Sequence, residues 1–401
     1  MHSRTLGGRR KTVEKTVKPG RKTRIAFRRP DRSIRLADGL AGPLQQIDRT
    51  FVLHRGRRLS YFAGCDYFRL SSHPEVLRAL REGLDRFGLN VAASRKTTGN
   101  HALYGQLEQK LAEFFGVEAA VLVSNGCMAN LVVLQALAGE FTLALIDERS
   151  HGSLLDAAKL LDCPVRPFKH RDPASAAKAA RQAGRKAKLV LLTDGLFSHS
   201  GEVAPLDQYL QILPVSATLL VDDAHGVGTL GRNGSGTVEF LDVRGGRLFR
   251  TITLSKAVGV YGGAVLGSHE LRKKIVARSR LFVGNTPLPL PLASAALAAL
   301  EILRRNPQLR RRLVFNTCYV KSALREAGLP VNDGPGPIIP FIPRGDREAA
   351  RLKQKLMAAG IHPPLINYLG GPADSYFRFA ISSEHTPGQL DALVRVLAGR
   401  Q

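Results

Sequence analysis

The chain has 401 residues, of which 44% are hydrophobic and 23% charged, and its formal net charge is +26. This balance is typical of a globular protein with two or three folded domains, and it excludes disorder of the whole chain. We expect neither a membrane-spanning helix nor a secretory signal, because no apolar run is long enough and the first residues lack an apolar core.

Residues 1–35 are expected to form a disordered basic arm. They hold thirteen lysines and arginines against only Glu14 and Asp31. The arm is either a solvated tail without a specific partner or a segment that attracts a polyanion, such as a nucleic acid, a membrane surface, an acidic carrier protein or the phosphates of coenzyme A. Residues 36–70 are expected to pack on a second domain or at a dimer interface.

Apolar strands alternate with helical patterns through residues 71–285. The expected strands are residues 117–126, 141–150, 187–195, 217–226 and 248–259. Helices are expected between them, at residues 127–139, 153–161 and 207–213. Alternation of this kind predicts an α/β fold, in which helices cover both faces of a mostly parallel sheet.

The pattern changes near residue 285. A long helix is expected over residues 292–306, after three closely spaced prolines. Two further helices (347–360 and 387–399) flank an apolar strand over residues 376–382. We therefore predict a large domain over residues 71–285 and a smaller α+β domain over residues 286–401.

Polar residues follow the ends of several predicted strands. They include Gly126, His151, Asp194, the Asp222–His225 run and Lys256. In parallel α/β sheets, ligands bind where the carboxyl ends of the strands meet. Pyridoxal phosphate suits this set, because it needs a lysine for a Schiff base, a carboxylate at its ring nitrogen and hydrogen-bond donors for its phosphate.

Four segments carry a family resemblance. In chain order they read SNGCMANLVVLQAL, TDGLFSHSGEVAPL, VDDAHGVGTLGRNGSG and TITLSKAVGVYGGAV. Together they resemble the α-oxoamine synthases, a family that includes 8-amino-7-oxononanoate synthase and serine palmitoyltransferase. The resemblance runs from about residue 60 to the C-terminus and implies the fold of fold-type I pyridoxal phosphate enzymes.

The resemblance implies a role for each residue near the cofactor. Lys256 would hold the cofactor through a Schiff base and move the substrate's α-proton, while Asp222 would keep the ring nitrogen protonated. His151 would stack on the ring, and His225 would reach its 3-hydroxyl. The other implied contacts are Gly126, Cys127 and Thr253 at the phosphate, Ser198 at the ring oxygen, and Thr286, which would reach the phosphate from the partner subunit.

Arg378, Cys65 and Ser94 are the expected substrate contacts. The guanidinium of Arg378 fits the carboxylate of an amino acid with two parallel hydrogen bonds. Cys65 stands where the family usually has asparagine, and Ser94 lies where the family has a glycine-rich loop. Arg69, which replaces a family glycine, or Arg95 could recruit an additional anionic group of a substrate.

The sequence thus predicts a homodimeric acyltransferase with shared active sites, which condenses a small amino acid with a thioester of coenzyme A or of an acyl carrier protein. Decarboxylation would then give an α-amino ketone. The alternatives are another fold-type I activity without acyl transfer, a cofactor-free pseudoenzyme and a nucleic-acid-binding protein. Four widely spaced cysteines predict neither a metal site nor disulfides, and they favour a reducing cytoplasm.

Overall fold

Strands and helices alternate through most of the chain. The structure is a computed structural model that describes residues 42–184, 186–243, 245, 247–367, 371–373 and 375–399. The predicted basic arm lies outside the described residues. From Leu44 onward the chain forms one compact unit, and none of its described helices is both long enough and apolar enough to cross a membrane.

A small antiparallel sheet comes first. It consists of β1 (Gln45–Asp48), β2 (Phe51–His54) and β3 (Arg57–Ser60). Ser60 at its end pairs with Ile361, and the following Phe62 is buried in a cluster with Ile361 and Phe377. The N-terminal segment therefore packs on the C-terminal part of the chain.

The central sheet has seven strands and positions the candidate site. They are β4 (Ala119–Val123), β5 (Leu143–Asp147), β6 (Val165–Phe168), β7 (Leu189–Asp194), β8 (Thr218–Asp222), β9 (Leu248–Thr253) and β10 (Gly263–Gly267). Their order is β4-β10-β9-β8-β7-β5-β6. Only β10 runs antiparallel to its neighbours, so the predicted, mostly parallel sheet is confirmed. β6 and β10 are strands that the sequence pattern did not reveal.

Helices cover both faces of this sheet. In chain order the helices are α1 (Pro74–Phe87), α2 (Ala102–Phe115), α3 (Gly126–Ala136), α4 (Gly152–Ala158), α5 (Pro173–Ala183), α6 (Leu206–Ile212), α7 (Thr237–Phe240), α8 (His269–Arg278), α9 (Arg280–Val283), α10 (Leu290–Arg305), α11 (Gln308–Glu326), α12 (Asp346–Ala358) and α13 (Pro387–Leu397). Successive strand residues face opposite layers: Leu122 packs with Leu107 of α2, whereas Val121 packs with Val132 of α3. β4, β5 and β7 are buried at every residue, which explains their continuous apolar sequences.

The last third of the chain contributes to two layers. α10, expected to open the smaller domain, instead packs against α1 and α2. The strands β11 (Ile338–Phe341), β12 (Leu365–Ile366) and β13 (Tyr376–Ala380) form a separate antiparallel sheet. Residues of α11, α12 and α13 cover it in one hydrophobic cluster. The domain boundaries near residues 70 and 285 stay a prediction.

Candidate active site

A cavity of about 400 Å³ opens at the carboxyl edge of the central sheet, and we call it the strand-end pocket. Ten of the twelve predicted site residues line it: Cys65, Gly126, Cys127, His151, Ser198, Asp222, His225, Thr253, Lys256 and Arg378. A larger cavity of about 720 Å³, between Phe115, Arg250 and Leu300, contains none of them. Because converging polar groups rather than volume identify an active site, the strand-end pocket is the candidate.

Lys256 lies in a turn rather than in a strand. β9 ends at Thr253, so the strand expected over residues 248–259 is too long. The hydroxyl oxygen of Thr253 accepts the N–H of Ser255 at 3.2 Å, and the N–H of Gly259 donates to the carbonyl of Lys256 at 2.9 Å. This turn brings the half-buried Lys256 to the pocket.

Asp222 ends β8 with its carboxylate nearly buried. Its Oδ1 accepts the N–H of Ala224 at 3.1 Å, and its Oδ2 accepts a hydrogen bond from Asn130 Nδ2 at 2.7 Å. The adjacent Asp223 faces the opposite way, where the N–H and hydroxyl of Thr237 bind it. Burial raises the pKa of Asp223 to about 6. Asp222, and not Asp223, therefore presents its carboxylate to the pocket.

A second carboxylate, Asp194, lies beside Asp222. It ends β7, pairs with Asp222 in the strand register and is 4% exposed. Its Oδ1 accepts the backbone N–H of His151 at 3.0 Å. Burial, followed by the negative charge of Asp222, raises the pKa of Asp194 well above its usual value. Asp194 therefore holds a proton more readily than an exposed aspartate does.

His225 is buried and neutral. Its Nδ1 lies 2.7 Å from the hydroxyl of Tyr67, which is 1% exposed. Burial raises the pKa of Tyr67 well above its usual value, so the hydroxyl keeps its proton. Burial, reinforced by Lys256 and Arg378, also lowers the pKa of His225 well below its usual value. The neutral imidazole and the protonated phenol therefore share one hydrogen bond.

His151 caps the N-terminus of α4. Its Nδ1 accepts the backbone N–H of Ser153 at 3.1 Å and lies 2.7 Å from the hydroxyl of the same serine. Burial lowers the pKa of His151, against the opposing effect of Asp222. Because Nδ1 accepts hydrogen bonds, the neutral ring carries its proton on Nε2.

The start of α3 forms a cradle of backbone N–H groups. Asn125 caps the helix by accepting the N–H of Met128 at 2.9 Å. A Cβ atom on Gly126 would come within 2.9 Å of the Cβ of Thr253, and one on Gly263 would overlap the backbone of Asn125. Small residues here leave room at a helix start, where exposed N–H groups and the helix dipole favour an anion.

Two of the three predicted substrate residues, Arg378 and Cys65, meet in the strand-end pocket. Arg378 lies on β13, and its Nη1 donates to the carbonyl of Ser198 at 3.4 Å. Its Nη2 lies 3.7 Å from the sulfur of Cys65. The C-terminal sheet, the loop after β7 and the N-terminal segment thus converge on one guanidinium.

Ser94 and Thr286 do not line the strand-end pocket. The hydroxyl of Ser94 donates to the carbonyl of Val283 at 2.5 Å. Thr286 lines a separate, small cavity together with Ser124 and Asn285. A threonine predicted to act in the partner subunit is expected to lie outside its own pocket. Both roles stay predictions.

The structure assigns Arg69 and Arg95 to other contacts. Arg95 binds both carboxylate oxygens of Glu108, at 2.5 and 3.1 Å, and both side chains are only 7% exposed. Arg69 is 5% exposed and donates to the carbonyl of Tyr61 at 2.9 Å. Neither lines the strand-end pocket, and the expectation that one of them recruits an additional anionic group of a substrate stays a prediction.

Several residues of the site escaped the sequence analysis. Ser153 and Tyr261 line the pocket without a signal that predicted them, and Tyr67 and Asn130 hold its residues from behind. Asn125 and Asp194, which also line it, lie at the ends of apolar strands, where the sequence places polar residues. The hydroxyl of Tyr261 accepts a hydrogen bond from Asn125 at 3.1 Å. The two residues are far apart in the sequence, so no local pattern predicts this contact.

Comparison with known proteins places the chain in a family. A model of the aminotransferase class I and II family matches residues 65–397. The chain belongs to this family. Within it, 8-amino-7-oxononanoate synthase from Methylococcus capsulatus is 35% identical over 344 residues, which cover 84% of this chain and 88% of that protein.

Solved structures of family members share the fold. Serine palmitoyltransferase from Sphingomonas wittichii superimposes with a TM-score of 0.83 at 27% identity, covering 89% of this chain and 91% of that one. A serine palmitoyltransferase solved with pyridoxal phosphate has the same TM-score of 0.83 at 26% identity, covering 88% and 90%. The predicted membership of the α-oxoamine synthases, and with it the fold class, is confirmed.

Proposed function

We propose that this protein is a pyridoxal phosphate-dependent acyltransferase of the α-oxoamine synthase type. It condenses a small amino acid with an acyl thioester, and decarboxylation then yields an α-amino ketone. The observation that carries the proposal is the convergence of Lys256, Asp222 and His225 in one pocket beside the N-terminus of α3.

The pocket fits the cofactor at three points. The N-terminus of α3, with the hydroxyl of Thr253 beside it, offers donors and space for a phosphate. Asp222 offers a carboxylate for the ring nitrogen, and its two oxygens are already oriented by Asn130 and Ala224. Lys256 supplies the amine that such a cofactor requires.

Each residue around the cofactor ring has a separate proposed role. When bound, pyridoxal phosphate supplies an electron sink for the carbon that loses its proton. Lys256 Nζ anchors the cofactor and later carries the α-proton. The carboxylate of Asp222 stabilises a proton on the ring nitrogen. The ring oxygen would be held by His225 and the hydroxyl of Ser198, and His151 would cover one face of the ring.

The amino acid is held by its carboxylate. Arg378 presents its guanidinium between the carbonyl of Ser198 and the thiol of Cys65, and we propose that it binds the substrate carboxylate there. Cys65 occupies an asparagine position of the family, and its thiol donates only weakly to a carboxylate, so Arg378 supplies most of this contact.

We further propose that the enzyme is a homodimer, in which Thr286 reaches the phosphate in the pocket of a second copy. Its position outside its own strand-end pocket supports this arrangement. The acyl group arrives on coenzyme A or on an acyl carrier protein. The proposed compartment is the cytoplasm, which the four unpaired cysteines among the described residues support.

Replacement of Lys256 tests the proposed function. We expect the protein purified with pyridoxal phosphate to be yellow, and Lys256→Ala to lose the visible absorbance band and the release of thiol from an acyl thioester. Lys273→Ala, which alters an exposed lysine of α8, is the matched control and should behave as wild type. A Lys256→Ala protein that keeps both properties contradicts the mechanism.

A substrate panel separates acyl transfer from the alternative fold-type I activities. Small amino acids are incubated with and without acyl thioesters, and the products are identified by mass spectrometry. A ketone that carries the acyl chain, formed only when amino acid and thioester are both present, is expected. A keto acid or a simple amine, formed without a thioester, would instead identify an aminotransferase or a decarboxylase.

A further inference from the structure

Asn130 is a polar residue in the hydrophobic layer behind the strand-end pocket. It lies on the second turn of α3 with none of its surface exposed, and its helix neighbours Val132 and Val133 belong to the core. A buried amide is costly unless its hydrogen bonds are made. The contacts of Asn130 therefore indicate why this position is polar.

Three side chains bind the amide of Asn130. Its Nδ2 donates to Asp222 Oδ2 at 2.7 Å and to Ser153 Oγ at 3.0 Å. The hydroxyl of Thr251 donates to its Oδ1 at 2.6 Å. Because a carboxylate only accepts, the amide atom that faces Asp222 must be the nitrogen, and Thr251 must then face the oxygen. The orientation of the amide is thus fixed from both sides.

The hydrogen bonds continue from Asn130 to His151. Ser153 Oγ accepts from Asn130 and lies 2.7 Å from His151 Nδ1. The same nitrogen accepts the backbone N–H of Ser153, so the serine hydroxyl donates to it as well. Two branches therefore leave one amide: the first ends on the carboxylate of Asp222, and the second ends on the ring of His151.

We propose that Asn130 is a positioning residue, which holds Asp222 and His151 as one hydrogen-bonded unit at the cofactor ring. The inference rests on the proposed function, in which Asp222 contacts the ring nitrogen and His151 contacts the ring face. Asn130 makes neither contact itself. It orients a carboxylate oxygen and, through the hydroxyl of Ser153, the ring of His151, so that α3, α4 and β8 present one surface to the cofactor ring.

The test compares Asn130→Leu with Ser153→Ala in the full-length protein. Leucine has the same branched shape and number of side-chain heavy atoms as asparagine and removes both branches, whereas alanine at Ser153 removes only the branch to His151. The dissociation constant of pyridoxal phosphate is measured by equilibrium dialysis, and the visible band is titrated against pH. We expect Asn130→Leu to weaken binding by about tenfold to a hundredfold and to shift the titration, and Ser153→Ala to shift the titration with little loss of affinity.

Two results would overturn the inference. One is an Asn130→Leu protein with the affinity and titration of wild type, and the other is a Ser153→Ala protein that loses as much affinity as Asn130→Leu. Should Asn130→Leu fail to fold, Thr251→Val, which removes only the anchor of the amide, must give a smaller change in the same direction. A wild-type protein that binds no pyridoxal phosphate refutes the proposed function instead, so the two failures are distinguishable.

Discussion

Tyr67 holds the ring of His225 from behind the strand-end pocket. Its hydroxyl lies 2.7 Å from Nδ1 of the histidine, and burial raises the pKa of the phenol, so the hydroxyl stays protonated. This hydrogen bond occupies Nδ1 and leaves Nε2 as the ring nitrogen available to a ligand in the pocket. A residue remote from the ligand thereby orients the residue that contacts it.

We predict that Tyr67→Phe lowers the free energy of unfolding by about 1–3 kcal/mol, because it leaves Nδ1 of the buried His225 without its hydrogen-bond partner. Urea denaturation at pH 7 measures the change in the free energy of unfolding. Tyr319→Phe is the control, since Tyr319 is 42% exposed and bonds only to a surface aspartate, Asp391. Equal stability of the Tyr67→Phe and wild-type proteins would contradict the assignment.

Arg69 occupies a backbone conformation that favours glycine. Its φ of 53° lies in the left-handed region, which agrees with the glycine that the family resemblance implies at this position. The guanidinium lies 5.3 Å from the centre of the Tyr61 ring and donates to the carbonyl of the same tyrosine. These contacts offset a strain of about 1 kcal/mol. Packing against Tyr61 therefore explains how an arginine is tolerated here.

At the scale of single elements, the close approach of α3 to β9 shapes the phosphate cradle. Gly126 begins the helix at a point where even a methyl group would meet Thr253 at 2.9 Å. Gly105, in the exposed middle of α2, has nothing within 4 Å of its would-be Cβ. The two glycines are chemically identical, but only one is required by its surroundings.

We predict opposite effects for alanine at these two positions. Gly126→Ala should push the start of α3 away from β9 and weaken pyridoxal phosphate binding by at least about tenfold. Gly105→Ala should raise the free energy of unfolding by about 0.5–1 kcal/mol, because alanine is the better helix former, and leave cofactor binding unchanged. Equilibrium dialysis and urea denaturation measure both. If Gly126→Ala binds pyridoxal phosphate with the affinity of wild type, the proposal that the start of α3 holds the phosphate is contradicted.

At the scale of the whole molecule, buried neutral histidines control the response to acid. Burial lowers the pKa of His199 and His362 to about 4 and of His385 to about 3, and it also lowers the pKa of His151 and His225. In the unfolded chain these groups titrate near 6.5. As pH falls below 6.5, the unfolded state therefore binds protons that the folded state does not.

Two buried aspartates act in the opposite direction. Burial raises the pKa of Asp223 to about 6 and also raises that of Asp194, so the folded state binds protons there before the unfolded state does. Their protonation stabilises the fold as pH falls from about 6 towards the usual aspartate value of about 4. Because the five histidines outnumber the two aspartates, the net effect of acid is to lower the free energy of unfolding.

We predict that the free energy of unfolding decreases steeply between pH 6.5 and 5. Each fully buried histidine contributes up to about 1.4 kcal/mol per pH unit, and the half-buried His151 and His362 contribute less. Urea denaturation at pH 7, 6 and 5 measures the slope. His199→Phe, which removes a ring whose two nitrogens have no hydrogen-bond partner among the described residues, should make the slope shallower. A free energy that is flat over this range would refute the assignment.

The fold class and the core of the site follow from the sequence. Apolar runs such as residues 189–194 and 218–222 form buried parallel strands, because only strands covered on both faces are apolar throughout. Polar residues at their ends, including Asp222 and His151, meet because parallel strands end at one edge. Helical periodicity also predicted α10 to within two residues at either end.

Tertiary structure alone decided what depends on contacts between distant segments. β10 joins the sheet as an antiparallel strand between β4 and β9, and α10 packs on the N-terminal helices, although no local pattern indicates either placement. The pairing of Arg95 with Glu108, of Tyr67 with His225 and of Asn130 with Asp222 likewise joins residues that are far apart in sequence. Periodicity shows which face of an element is buried, but the partner of a buried polar group is fixed only when the elements pack, because its hydrogen bonds cross between them.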